Sequence, residues 1–346
     1  MVNDVAGVAL VELDILRGDG LEVDYLQLPW LGASWRRPFK LLIMPLRLAA
    51  YLPVIMRLRR GRYDLAHVHF VSQGFVSLLA GLPLVLHAHG SDLHQNFNRA
   101  LMRWMGHWTL HRAKAVLYVT PNLASYISPW TSRARLLGNP VPIPERYTVP
   151  DSIKRALIFA RLEPIKGVQL IFDGIEEIAQ ECELTAIYWG PWAEEYKHRY
   201  GHAVEFIDRV PHSAVPDVLE RFDVVIGQMR QGILSLSELE AMASGRPLLT
   251  NLDQTLYADD PPPVVPVATA ADIVAALRSL REDAARVKSL AELGRGWVRR
   301  NHGFAAHREG LLAAYQDVLG TTSLLGSTSG RATGLGQARS ESEDIT

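Results

Sequence analysis

Two short segments hold the residues best suited to chemistry. The first is Phe159-Ala160-Arg161-Leu162-Glu163-Pro164-Ile165-Lys166-Gly167. The second is Glu238-Leu239-Glu240-Ala241-Met242-Ala243-Ser244-Gly245-Arg246-Pro247. Each puts charge at the end of an apolar strand, where a helix begins. Arg161 can grip two phosphate oxygens at once, while Lys166 acts as a point charge. Glu240 suits a diol, because a carboxylate accepts two hydrogen bonds. Backbone amides at a helix start face an anion. Together they supply what a nucleotide diphosphate-sugar needs: cations for the diphosphate, an acid for the ribose and amides at a helix start.

The elements that must position these residues are short apolar runs alternating with amphipathic segments. Strands are expected at Val23–Leu28, Leu65–His69, Leu84–His87, Ala115–Val119, Arg155–Phe159, Thr185–Trp189, Val204–Phe206, Val224–Ile226 and Pro247–Thr250. Val168–Ile178 and Val215–Arg221 have helical period, and a helical block runs from Ala270 to Leu319, broken near Asn301-His302-Gly303. Such alternation means parallel sheets with helices on both faces. The strands are too many for one comfortable sheet, so two doubly wound domains are expected.

The chain has 346 residues, 48% hydrophobic and 21% charged, enough for two ordinary cores. A net charge of −1 offers no global field for nucleic acid. Cys182 is the single cysteine, so no intrachain disulfide forms and a reducing compartment is expected. Glu181 and Glu183 beside it would raise its pKa, leaving an inert thiol. The first residues do not read as a signal peptide. The longest apolar stretch, Leu41 to Met56, is interrupted by Pro45, Arg47 and Pro53, against a transmembrane helix. A cytoplasmic location is expected.

A proline-rich stretch, Gly138 to Pro150, marks the boundary. The expected domains are 1–147 for an acceptor, 148–296 for a donor, and 297–320 as a helix packing back on the first domain. The tail 321–346 is expected to be disordered. Asn3-Asp4-Val5-Ala6-Gly7 reads as the loop that follows a first strand, so that strand is expected to lie upstream of Met1, leaving two unpaired edges.

The ordered motifs resemble the retaining glycosyltransferases of family 4. They are Asp64-Leu65-Ala66-His67-Val68-His69, His87-Ala88-His89-Gly90-Ser91-Asp92, Leu137-Gly138-Asn139-Pro140-Val141, Ala160-Arg161 through Lys166-Gly167, Phe222-Asp223-Val224-Val225, and Glu240 through Pro247. The resemblance spans the chain to about Leu319. It implies the α/β GT-B architecture: two facing Rossmann-like doubly wound domains with a C-terminal crossover helix. It places Arg161 and Lys166 on the donor diphosphate, Glu240 on the ribose and His89 opposite the transferred sugar as a third catalytic residue. It puts the loop of Asp4 and Gly7 near the diphosphate or acceptor, with Asp92 orienting His89 or meeting the acceptor.

The sequence departs from that family at one point. The first acid of the Glu-x7-Glu signature should fall at Gly232. Sugar contact is then expected to pass to Gln231 or Glu238, with the amides of the turn before the helix, at Leu234 and Ser235, still free for a phosphate. The pairs His67/His69 and His87/His89 share strand faces and suggest a metal, but no acidic cluster or thiol completes such a site, so none is expected.

From Tyr25 to Tyr63 no acidic residue occurs, whereas Arg36, Arg37, Lys40, Arg47, Arg57, Arg59, Arg60 and Arg62 accompany Trp30, Trp35 and Phe39. Residues 30–62 therefore suit an anionic membrane surface and a lipid-linked acceptor. The reading is a metal-independent, retaining hexosyltransferase without a cofactor, taking a nucleotide diphosphate-sugar as donor and a glycan or lipid-linked acceptor in cell-surface polysaccharide or glycolipid synthesis. Its alternative is a catalytically weak GT-B protein that binds nucleotide or partners another transferase. A nucleotide-sugar 2-epimerase would need further cleft carboxylates. A dehydrogenase is disfavoured because no G-x-G-x-x-G follows a strand.

Overall fold

The structure is a computed structural model that describes residues 1–4, 7–29, 44–90, 92–96 and 100–320. Trp30, Trp35, Arg36, Arg37, Phe39 and Lys40 of the expected membrane segment, and the tail 321–346, lie outside the described residues.

Among the described residues, ten strands form two parallel sheets. In the first, β1 (Ala66–His69), β2 (Leu84–Ala88), β3 (Ala115–Tyr118) and β4 (Ala134–Leu136) lie in chain order. The second holds β5 (Arg155–Ile158), β6 (Glu183–Tyr188), β7 (Glu205–Asp208), β8 (Val224–Ile226), β9 (Leu248–Thr250) and β10 (Val265–Pro266), in the order β10-β9-β8-β5-β6-β7. The helices of the first domain are α1 (Val8–Gly18), α2 (Met44–Arg60), α3 (Phe75–Ala80), α4 (Ala100–Arg112) and α5 (Ala124–Ile127). The second domain carries α6 (Gln169–Phe172), α7 (Ile175–Ala179), α8 (Ala193–Tyr200), α9 (Val215–Leu219), α10 (Leu236–Ala243), α11 (Ala270–Glu282) and α12 (Ala284–His302), and α13 (Phe304–Leu319) follows.

The inner strands of both sheets are buried on both faces, as in other parallel sheets. Along β5, Ala156 and Ile158 face Phe172, Ile273 and Leu277, whereas Leu157 faces Leu239, Met242 and Trp297. Along β2, Leu84 and Leu86 face Val76 and Leu110, while Val85 faces Leu16 and, from α13, Leu311 and Tyr315. The last helix thus crosses back onto the first domain. Gly303, with extended backbone, breaks the helical block one step earlier. Trp297, expected to open the crossing helix, lies instead in α12 and is buried in the second domain. Its indole donates to the Asp260 carbonyl at 3.0 Å.

The expected open edges do not occur around the first residues. Val2 bridges Leu26 on one side and Val68 on the other, both in parallel. Its amide donates to the His67 carbonyl at 2.8 Å, and the Asn3 amide donates to Leu26 at 2.8 Å. Val2 therefore occupies the central place, and of the expected strand Val23–Leu28 only the bridge at Leu26 forms. Strands β4 and β10 were not legible; both are short and lie at sheet edges.

Arg246, the last cation of the second segment, serves the fold. It is buried and donates to the Phe222 carbonyl at 2.8 Å and the Ser244 carbonyl at 3.2 Å, with a further bond to Thr148. Cys182 is buried, and burial, aided by Glu181, pushes its thiol up to about 12.

Candidate active site

Strand order in the second sheet reverses beside β5: β6 and β7 lie to one side, and β8, β9 and β10 to the other. The crevice at the carboxyl ends of β5 and β8 is the switch point, where ligands enter open parallel sheets. The turn Pro121–Leu123 after β3 lies against the turn Gln254–Tyr257 after β9. The carboxyl ends of the two sheets therefore face each other.

Arg161 and Lys166 occupy the loop after β5. The Arg161 side chain is 45% exposed, its guanidinium 5.5 Å from the centre of the Trp189 ring and 3.7 Å from Glu163 Oε2. Lys166 is more enclosed. Its Nζ donates to Gln231 Oε1 at 2.7 Å, joining the loop after β5 to the loop after β8. Burial pushes the ammonium pKa down, against the opposing charges of Glu238 and Glu163. The Met229 amide donates to the Lys166 carbonyl at 2.7 Å. That approach requires Gly167: its φ is +66°, and a Cβ there would stand 2.9 Å from Arg230 Cβ and 3.0 Å from the Met229 carbonyl carbon.

The structure brings Arg161, Lys166 and Gln231 to the crevice, but not Glu238. That carboxylate is fully buried. Its Oε2 accepts from the Ser235 amide at 2.7 Å and hydroxyl at 2.6 Å, and its Oε1 accepts from the Gln228 amide at 3.1 Å and from Thr250. Glu238 caps α10 from inside, with no oxygen left for a sugar. The amides of Leu234 and Ser235 are likewise taken, the former donating to the Tyr257 hydroxyl at 3.0 Å. The Leu234 side chain lies in the core. Position 232 has φ +67°, with Asp253 Cβ 3.2 Å from where a Cβ would stand. An acid there would strain the backbone.

Glu240, one turn into α10, keeps 10% of its side chain exposed and takes a bond from His212 Nδ1 at 3.0 Å. Burial raises its carboxyl pKa, and His212 partly offsets this. His212 is 65% exposed and was not singled out in the sequence. Gln228 was also missed. Buried after β8, it accepts from the amides of Arg230 at 3.0 Å and Gln231 at 2.6 Å and donates to the Ile233 carbonyl at 2.8 Å, shaping the whole loop.

In the first domain the expected residues turn inward. His89 is 4% exposed, its Nε2 3.1 Å from His69 Nδ1, and burial holds its imidazole well below the ordinary range. Asp92 is buried; its Oδ2 accepts from the Val71 amide at 2.8 Å, and desolvation pushes its carboxyl up to about 7. It serves the domain interior rather than an acceptor surface. Asp4 accepts from the amides of Gly7 at 2.9 Å and Ala9 at 2.8 Å, anchoring the start of α1. Gly7 itself has φ +79° and open space around it.

A single acid joins the paired histidines. Glu12 of α1 lies among His67, His69 and His87, all fully or almost fully buried. His307 of α13 presents Nε2 to Glu12 Oε1 at 3.0 Å and Nδ1 to the Gly138 carbonyl at 2.8 Å. Desolvation opposes ionisation of Glu12, but His87, His69, His67 and the His307 bond hold its carboxyl well below the usual range.

Two sheets of this order, facing across their carboxyl ends and closed by a returning helix, define the GT-B fold. A family model for a glycosyl transferase 4-like domain matches residues 8–140, and one for glycosyl transferases group 1 matches residues 153–283. Both matched models are of glycosyltransferase domains, one over each sheet. Among solved structures it is similar to sucrose-phosphate synthase from Thermosynechococcus elongatus, with 16% identity and a TM-score of 0.71 over 93% of this chain and 96% of that one. It is also similar to Anabaena HepE in complex with UDP-glucose, with 14% identity and a TM-score of 0.69 over 91% and 97%. The lipopolysaccharide outer core galactosyltransferase WaaB gives 16% identity and a TM-score of 0.62 over 91% and 97%. No curated protein sequence matches the chain.

Proposed function

We propose that the protein is a retaining glycosyltransferase that moves a sugar from a nucleotide diphosphate-sugar to a glycan or lipid-linked acceptor, in the synthesis of cell-surface polysaccharide or glycolipid. The observation that carries this reading is the placement of Arg161 and Lys166 at the switch-point crevice, with Lys166 held by Gln231 across it. Glu240 on the helix that follows β8 supplies a ribose acceptor. The UDP-glucose bound by the similar Anabaena protein supports a donor of this class.

Breaking the sugar–phosphate bond builds negative charge on the leaving diphosphate. Fixed cations stabilise that charge most in the transition state. Arg161 and Lys166 carry this work. The acceptor attacks on the face the diphosphate leaves, and a phosphate oxygen takes its proton. No cofactor is needed, and added Mg²⁺ or Mn²⁺ should leave the rate unchanged. The domain of β1–β4 holds the acceptor. On α2, exposed Leu52 and Met56 beside Arg57, Arg59 and Arg60 suit an anionic membrane face, with the protein peripheral on the cytoplasmic side. No helix among the described residues is long and apolar enough to cross a membrane.

The test is turnover of a panel of nucleotide sugars, with product anomers read by NMR. Arg161→Ala should lower kcat by about two orders of magnitude; near-normal turnover refutes its role. A second reading, a nucleotide-binding protein of weak activity, is favoured by the glycine at 232 and the occupied amides of Leu234 and Ser235. UDP or GDP binding without transfer or hydrolysis would establish it.

A further inference from the structure

Nine buried side-chain polar atoms among the described residues lack a hydrogen-bond partner, and five belong to one cluster: Glu12 Oε2, His67 Nε2, His69 Nε2, and both ring nitrogens of His87. Orphaned buried polar atoms are rare and costly, so five in one place call for an explanation. His87 Nδ1 stands 3.1 Å from Glu12 Oε1, His69 Nε2 3.3 Å from Glu12 Oε2, and His67 Nδ1 3.6 Å from Glu12 Oε2. The His87 and His69 nitrogens both stand within reach of the carboxylate. Each of the four residues offers one ligand atom, and these atoms lie within 4.8 Å of one another.

We propose that Glu12, His67, His69 and His87 form a buried structural site for a zinc-class divalent metal, which fastens α1, β1 and β2 together beneath the returning helix α13. Four ligands at about 2.0–2.1 Å from a tetrahedral ion stand about 3.4 Å apart. His69 Nε2 and Glu12 Oε2 stand 3.3 Å apart, close to that value, and the ligand atoms of all four residues lie within 4.8 Å, so the set closes by contracting onto the ion. Three imidazoles and one carboxylate select Zn²⁺ or Co²⁺ over Mg²⁺ and Ca²⁺, which demand oxygen. A metal also gives a partner to four of the five orphaned atoms, one on each residue. The surrounding bonds are of the kind that orient ligands: His307 holds Glu12 Oε1, Tyr315 Oη lies 2.7 Å from His67 Nδ1, and His89 Nε2 lies 3.1 Å from His69 Nδ1. His307 and Tyr315 both come from α13, so the site ties the last helix to the first domain. With four buried protein ligands and no open position, the ion is structural and enters on folding. It stands apart from the proposed metal-independent transfer and does not depend on it.

The test uses the untagged full chain. Metal content after gel filtration should be about one zinc per chain. Cobalt substitution should give the absorption of a tetrahedral N₃O site, and a strong chelator should lower the Tm. His69→Ala and His87→Gln should each reduce retained zinc by at least about tenfold. A wild-type protein that holds no metal, and whose Tm is moved by neither zinc nor chelator, overturns the proposal. So do variants that retain full zinc. Should the variants fail to fold, the wild-type cobalt spectrum and chelator response decide alone.

Discussion

Lys166 Nζ meets Gln231 Oε1 at 2.7 Å, linking the loops that follow two neighbouring parallel strands. The neutral amide positions the ammonium without discharging it, so its charge stays available to a diphosphate. Gln231→Glu would set a carboxylate in the same place and neutralise it. UDP or GDP should then bind about tenfold more weakly, a change of about 1.4 kcal/mol. Lys166→Ala should reduce kcat by about a hundredfold. Calorimetric titration with both nucleotides, beside steady-state rates, checks the pair. Unchanged affinity in Gln231→Glu would mean that the diphosphate does not use Lys166.

Glu240 is the only acid of the second segment that keeps an opening to solvent, and His212 shares its Oε1. Glu240→Gln preserves shape and removes charge. Losing a charge-assisted bond to the ribose should cost about 1.5 kcal/mol, or roughly tenfold in nucleotide affinity. His212→Ala removes an exposed partner and should shift affinity by less than about threefold. Equal losses in the two variants would instead assign the nucleotide contact to the pair.

The sheets were legible because their strands are short apolar runs set between helical periods, and the diphosphate loop was legible because Arg161, Lys166 and Gly167 are close in sequence. What escaped depends on distant partners. Glu238 resembles a surface acid until Gln228, Ser235 and Thr250 close around it. Asp92 and His89 sit at a strand end that suggests a surface, yet the loop folds them under. Glu12 did leave a signal. It shares the helical stripe of Val8, Ala9, Leu13 and Leu16, all buried, and His307 shares one with Leu311 and Ala314. A charged residue on a buried stripe needs a partner, and here each meets the other across 295 residues of chain.

Glu238 should behave as a structural residue. Glu238→Ala would leave the amides of Gln228 and Ser235 and the Thr250 hydroxyl without partners, and would uncap α10. Each unpaired buried group costs about 1–3 kcal/mol and the cap about 1 kcal/mol, so a loss of at least about 3 kcal/mol is expected. That corresponds to a fall in Tm of roughly 6–12 °C for a domain of this size. Thermal unfolding followed by circular dichroism gives the value. A variant of native Tm with altered donor-sugar preference would place Glu238 on the sugar after all.

Asp92 should make the first domain less stable as pH rises. Its carboxyl is raised to about 7 by burial, and Oδ1 has no partner, so the folded state holds the proton where the unfolded state has released it. Between the unfolded value near 4 and the folded value near 7 the native state binds more protons, and stability falls with increasing pH. Below that window the penalty is absent; above it the penalty is constant, at up to about 4 kcal/mol. Asp92→Asn keeps an oxygen for the Val71 amide and carries no charge. Wild type and variant should unfold at similar urea concentrations near pH 4, and the variant should be the more stable at pH 8. Parallel pH profiles would show that Asp92 stays ionised in the fold, with a partner other than the Val71 amide.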